Sequence, residues 1–359
     1  MAALRAPIAP VSGRPDARAK PARPSNRSRR TLPLRGKPLT GAFFPSLREG
    51  KNPGGNSPDG HSPSRSSGEE PGSQHRHPAA RGRVTAGINS KTGKMHYVKT
   101  KRNKTDICNI CKRVAPLTWD HVPPKGSIEL APMEMETVFQ VFTGNQKDRK
   151  LSESQNGVKF RTICKECNDK LGQTYDPIIN EFAVSVGRYL KSVLKFPAII
   201  HHKTKPVALI RGILGHLLAA KAEFDEVVFD ESVRKIIFDE TAPIPDDIYV
   251  YYWLYPYSQV IIMRDFLMPA RRGDFSEIGF FQTLKYFPIA YLVTDRKRYE
   301  TLFELTQYRH LGVYEELDLI LQLDRTEHPH WPEIVDAGNI LFGGQSVVSS
   351  VSAKPRRIV

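Results

Sequence analysis

Apolar residues recur at helical spacing in only a few stretches of this chain. The clearest runs through Ile178, Ile179, Phe182, Val186, Tyr189, Leu190, Val193 and Leu194, which trace one face of an amphipathic helix. Asp176-Pro177 ahead of it reads as an N-cap followed by proline at the first helical position. Further helices are predicted over 207–222, 224–238 and 298–308, and a short one near 133–142. Runs rich in Tyr, Val, Ile and Phe at 247–253, 259–264, 279–285 and 289–294 read as strands. Being consecutive, they predict an antiparallel sheet with helices on one face. Two shorter strands are expected at 118–122, closed by Pro123-Pro124, and at 160–163. The second leads into a helix from Cys164 that Gly172 should stop. No apolar run reaches the roughly 18–20 residues of a membrane-spanning helix. The best candidate, 249–263, is broken by Pro256.

The first 85 residues are Pro, Gly, Ser and Arg without hydrophobic periodicity and are expected to be disordered. Thirteen of the 28 prolines fall in residues 1–83, which argues against an amphipathic targeting helix there. No apolar core of a secretory signal is present, and Met95 would make a sensible alternative start. The pattern divides the chain into a basic tail (1–95), a motif-bearing domain (96–195), an α/β or α+β domain of unknown role (196–345) and a frayed end (346–359). The fold class expected is α+β.

Charge sharpens this division. The 359 residues carry a formal +15, and residues 1–83 alone hold 16 Lys/Arg against 5 Asp/Glu. The run Lys99, Lys101, Arg102 and Lys104 adds to this, so the positive charge lies ahead of a nearly neutral remainder. Such a segment suits the backbone of a nucleic acid; a solvated run is the plain alternative.

The four cysteines form two C-x-x-C pairs, Cys108/Cys111 and Cys164/Cys167. No cysteine is left for a secreted disulfide framework, so the usage reads as a reducing cytosol with metal-bound thiolates. Two such turns can close an S4 shell around structural Zn2+ with no open coordination position. The redox alternative would use one pair and leave the second unexplained.

Between the pairs stands Asp120-His121-Val122-Pro123-Pro124, and Asn168 follows the last cysteine. A strand end carrying Asp120 and His121 and a helix start carrying Asn168 can converge if a metal locks them together. Phosphodiester hydrolysis needs a general base for water and a Lewis acid on the leaving oxygen. A neutral His121 suits the first, while Asp120 and Asn168 offer hard oxygen ligands for Mg2+ or another divalent ion.

Cys108-x-x-Cys111, Asp120-His121-Val122-Pro123-Pro124-Lys125 and Cys164-Lys165-Glu166-Cys167-Asn168 together resemble the zinc-stapled HNH endonucleases of the ββα-metal, or treble-clef, class. The resemblance spans about 75 residues and stops short of 196–359. It implies that His121 activates the attacking water, that Asp120 and Asn168 hold a catalytic metal, and that the cysteines hold zinc. The family's middle asparagine usually lies five residues before the third cysteine. Lys159 stands there, and Asn156, three residues earlier, is the candidate for that role. Many bacterial members carry an appended sensor or targeting domain and act in defence, which by analogy makes a defence effector plausible.

The function expected is metal-dependent hydrolysis of DNA, with RNA as the other candidate substrate and no membrane partner. Two rivals remain: a non-catalytic zinc module that binds DNA or RNA, and a nuclease gated by ligand binding to 196–345. Oligomeric state leaves no trace in the sequence. Trp119 is expected to pack the small domain's core, Lys170 to be an exposed helix lysine, and His201, His202, His216, His328 and His330 to be structural.

Overall fold

The computed structural model describes residues 97–143, 151–224, 227–271, 274–297, 299–332, 342–343 and 349–356. All of these belong to one compact unit, 84–359. The expected tail, 1–95, lies outside the described residues.

The motif region opens with an antiparallel hairpin, β1 (Thr105–Ile107) and β2 (Val114–His121). Next come β3 (Met133–Thr137), α1 (Val138–Thr143), β4 (Ser152–Ser154) and β5 (Lys159–Cys164). β5 pairs with β2 to complete a three-stranded sheet. From its end run α2 (Lys165–Lys170), a π-helical stretch at Leu171–Tyr175 and α3 (Asp176–Lys191). Gly172 therefore does not stop the helix, and Asp176 is not its N-cap. Asp176 has helical dihedrals (φ −57°, ψ −40°), and its carboxylate is drawn to a buried histidine described below.

A single helix was expected over 133–142, but β3 gives way to α1 at Thr137. The Thr137 hydroxyl accepts from the Gln140 backbone N–H (3.2 Å), and the Gln140 side-chain oxygen accepts from the Thr137 N–H (3.0 Å). That reciprocal pair is a capping box, which starts a helix where the pattern alone would run through.

The rest of the chain supplies β6 (Ile199–Thr204), α4 (Pro206–Ala219), α5 (Val228–Phe238), β7 (Tyr249–Leu254), β8 (Val260–Arg271), β9 (Asp274–Tyr286) and β10 (Ile289–Thr294). It continues through β11 (Phe303–Glu304), β12 (Leu317–Gln322), β13 (Phe342–Gly343) and β14 (Val351–Pro355). β6 and β12 form a ribbon. The others join an antiparallel sheet in the order β11-β7-β10-β9-β8-β14-β3-β4, with β13 also on β8. The four Tyr/Val/Ile/Phe runs are strands, as expected.

Three expectations fall. Residues 346–359 were expected to fray; 346–348 and 357–359 lie outside the described residues, but β14 sits between β8 and β3 with Val351 and Ala353 fully buried. Within 298–308, where a helix was expected, β11 adds to the edge of β7 and a single 3-10 turn follows at Thr306–Tyr308. Pairing with an open strand edge outweighs weak helical spacing there. The boundary at 195/196 also vanishes, because β3 and β4 of the motif region lie in the same sheet as β7–β10.

β7 alternates between the faces of this sheet. Val250, Tyr252 and Leu254 enter the larger core with α3, α4, α5 and three cysteines. Tyr251 and Trp253 face a second cluster with Phe266, Phe281 and Leu292. α4 is buried all round, as a central helix without a polar face must be. Its Gly212 and Gly215 admit close neighbours, since a Cβ there would lie 2.6 Å from Ile179 Cδ1 and 2.5 Å from Leu171 Cδ2. Among the described residues no helix is long and apolar enough to cross a membrane.

Candidate functional site

The two cysteine pairs come from different local structures. Cys108 and Cys111 sit on the β1–β2 turn, where the Lys112 N–H donates to the Cys108 carbonyl (2.9 Å) and the Cys108 N–H to that of Arg113 (2.9 Å). The turn places Lys112 at φ +60°, a left-handed conformation that favours glycine. Cys164 is the N-cap of α2, and Cys167 lies in its first turn.

The four sulfurs lie within 4.8 Å of one another, and those of Cys111 and Cys164 are 3.7 Å apart. A tetrahedral site with Zn–S bonds of about 2.3 Å has sulfur–sulfur edges near 3.8 Å. Four cysteines thus lie close together and can hold a metal ion such as zinc. The Cys164 N–H (3.3 Å) points at the Cys108 sulfur, and Arg113 Nε (3.5 Å) at that of Cys111. A hydrogen bond from Cys167 pulls the Cys108 thiol down to about 5. Cys167 is pushed up by its bond to Cys108, and burial pushes Cys164 up. Charge on Cys108 thus opposes ionisation of Cys164 and Cys167, and a bound cation would relieve that repulsion.

Beyond the cysteines, β2 and β5 set the register His121↔Lys159, Asp120↔Phe160 and Trp119↔Arg161. His121, at the last position of β2, places Nε2 3.1 Å from the Asn156 carbonyl oxygen. A carbonyl can only accept, so Nε2 donates and Nδ1 keeps its lone pair. Burial and the Lys159 charge lower the His121 pKa, against the opposing pull of Asp120, and favour the neutral ring.

The loop that delivers the Asn156 carbonyl turns at Gly157, φ +69°. A Cβ there would also meet Leu130 Cδ2 at 3.2 Å. The Asn-Gly pair was a legible turn signal, but its part in the site was not.

Asn168 reaches back to β2, where its Nδ2 donates to Thr118 Oγ1 (3.2 Å) and to the Trp119 carbonyl (3.1 Å). These bonds use the amide nitrogen and leave Oδ1 as the atom able to face a cation. Asp120 alternates inward and is buried, with Oδ2 3.2 Å from His216 Nδ1. His216 Nε2 in turn lies 2.7 Å from Asp176 Oδ1. Burial opposes a charge on this histidine, yet Asp176 and Asp120 overcome it and push its pKa up to about 10. His216 was grouped with the other structural histidines; a lone histidine on an otherwise apolar helix was the signal that a partner must exist. His202 does behave as packing, with its ring against Phe182 and Tyr189.

The basic run divides. Arg102 is turned into the fold, donating to Asn109 Oδ1 (2.8 Å), to the Thr162 carbonyl (2.8 Å) and to that of Ile107. Lys99 pairs with Glu223, while Lys101 and Lys104 are exposed. Lys170 bonds Glu240 at 2.8 Å rather than standing free. Trp119 does not pack the core: it is 46% exposed, with the Arg161 guanidinium 5.4 Å from its ring centroid.

Compared with protein-family models, curated proteins and solved structures, the chain finds no match.

Proposed function

We propose that this protein is a metal-dependent endonuclease of the HNH type, hydrolysing phosphodiester bonds of DNA with His121 as general base. The observation that carries the reading is the bond from His121 Nε2 to the Asn156 carbonyl. It supports a fixed tautomer with Nδ1 available for the proton of the attacking water. It also supports an orienting part for Asn156, the role expected of the middle asparagine, played by its main chain.

Zinc held by Cys108, Cys111, Cys164 and Cys167 would staple the β1–β2 turn to α2, in the manner of a treble clef. A catalytic Mg2+ would be held by Asp120 through Oδ1 and by Asn168 through Oδ1, the oxygens outside the contacts with His216, Thr118 and Trp119, and would supply positive charge at the leaving oxygen. Two protein ligands suit an ion that keeps several waters. Asn168 anchors the helix to the strand carrying His121, and Lys159 beside it offers positive charge for a phosphate.

The rival is a zinc module that binds nucleic acid without cutting it. The Asp120–His216 contact favours it, since that carboxylate already neutralises a buried partner. The test is plasmid cleavage by the full chain with added Mg2+ or Mn2+ and without either, beside His121→Ala. Divalent-dependent nicking lost in the variant supports the nuclease. Equal cleavage by His121→Ala would sink the assignment, and binding without cleavage would leave the zinc module standing.

A further inference from the structure

An exposed tryptophan beside the proposed base is the observation that goes furthest. Trp119 and His121 are two residues apart on β2, and a strand presents such residues on the same face. Across from them on β5 stand Arg161 and Lys159. Lys101, also exposed, is bridged to Arg161 on the other side. The outward face of this small sheet thus carries the Trp119 indole and His121, with Arg161 and Lys159 opposite them and Lys101 beyond Arg161.

Trp119 is held in place from two directions. Its carbonyl accepts from Asn168 Nδ2, and Arg161 lies over its ring while Nη2 donates to the Arg102 carbonyl at 2.7 Å. A large aromatic left 46% exposed adds little to folding where it stands. An indole with a guanidinium over it and further cations nearby is what an unpaired nucleotide recognises: the ring stacks on a base and the cations take the adjoining phosphates. A duplex keeps its bases stacked on each other and offers such an indole no free face.

We propose that Trp119, supported by Arg161, is a stacking platform for an unpaired base next to the scissile phosphate, so that the substrate is single-stranded or locally opened nucleic acid. The proposal rests on the nuclease reading for the word scissile, but its binding part stands without it.

The experiment uses the full chain without added Mg2+ or Mn2+, in salt raised to about 0.3 M to weaken backbone attraction by the basic N-terminal residues. Fluorescein-labelled 12-mers of deoxythymidylate and uridylate and a hairpin duplex closed by a non-nucleotide linker are titrated against wild type, Trp119→Ala and Trp119→Phe. The unpaired strands should bind more tightly than the hairpin and quench tryptophan emission. Trp119→Ala should weaken strand binding by about 5- to 150-fold, the range for losing one base–aromatic stack, and abolish the quench. Trp119→Phe should restore most of the affinity, which a merely structural position would not show.

Unchanged strand binding in Trp119→Ala overturns the proposal, as does equal weakening for strand and hairpin, or no binding of either 12-mer. Failure of plasmid cleavage with the Trp119 effect intact would remove the nuclease reading and leave the platform standing.

Discussion

His216 Nδ1 lies 3.2 Å from Asp120 Oδ2, tying the carboxylate next to His121 to a helix 96 residues further along the chain. With Asp176 on its other nitrogen, the histidine is buried between two carboxylates that push its pKa up. The strand bearing the proposed base is thereby bonded to α4 and α3 as well as to α2.

This arrangement predicts a pH dependence of stability. The folded pKa of His216, about 10, stands above an unfolded value near 6.5. Its contribution is fully present below pH 6.5 and is lost as pH rises through 10. The loss is on the order of 3–5 kcal/mol, taking about 1.4 kcal/mol per pKa unit. Urea unfolding from pH 6 to 10.5 should show it, and His216→Gln should be less stable at pH 7 with a flatter profile. A variant as pH-dependent as the wild type would contradict a buried imidazolium.

The Asn156–Gly157 turn predicts an unusual ranking of substitutions. Gly157→Ala places an L-residue at φ +69° and should cost about 1–2 kcal/mol. By moving the Asn156 carbonyl it should lower cleavage at least about tenfold. Asn156→Ala keeps that carbonyl and should lose less than about tenfold. Urea midpoints and cleavage rates measured together test the pair, and the reverse order would place the role in the Asn156 side chain.

The proposed base should be neutral across the ordinary range. Burial and Lys159 lower the pKa of His121 below 6.5, so its unprotonated form dominates above that pH. The acid limb of the cleavage rate should therefore lie below pH 6.5, with a plateau above it. A limb centred above pH 7 would assign the base to another group.

The cysteine cluster is continuous with the main core, and Cys108 and Cys167 are fully buried within it. One equivalent of zinc per chain is expected by elemental analysis. Cys167→Ser should lose it, with a fall in Tm of roughly 10 °C or more as metal binding and folding uncouple. A variant of wild-type Tm would make the site peripheral to folding.

Local chemistry alone settled several of these features. Two C-x-x-C pairs forecast a cluster because each turn brings its own sulfurs together, whatever surrounds it. β10 follows its Ile289–Thr294 pattern residue for residue, because that strand is buried on both faces and its apolar run has one reading. His121 at a strand end before Pro123-Pro124 was legible for the same reason.

Tertiary structure decided the rest. Periodicity cannot say which strand lies beside which, so nothing in Val351–Pro355 announced that it would join β3 to β8 and merge two expected domains into one sheet. Trp119 and Asp120 differ by one position, and only the pleat against β5 sent the carboxylate inward to His216 and the indole out to solvent. Asp176-Pro177 looked like a cap, but the helical run from α2 continues through Asp176, whose carboxylate meets His216 inside the fold. Residues distant in sequence share no local signal, and burial, which determines whether a polar group needs a partner, is a property of the whole fold.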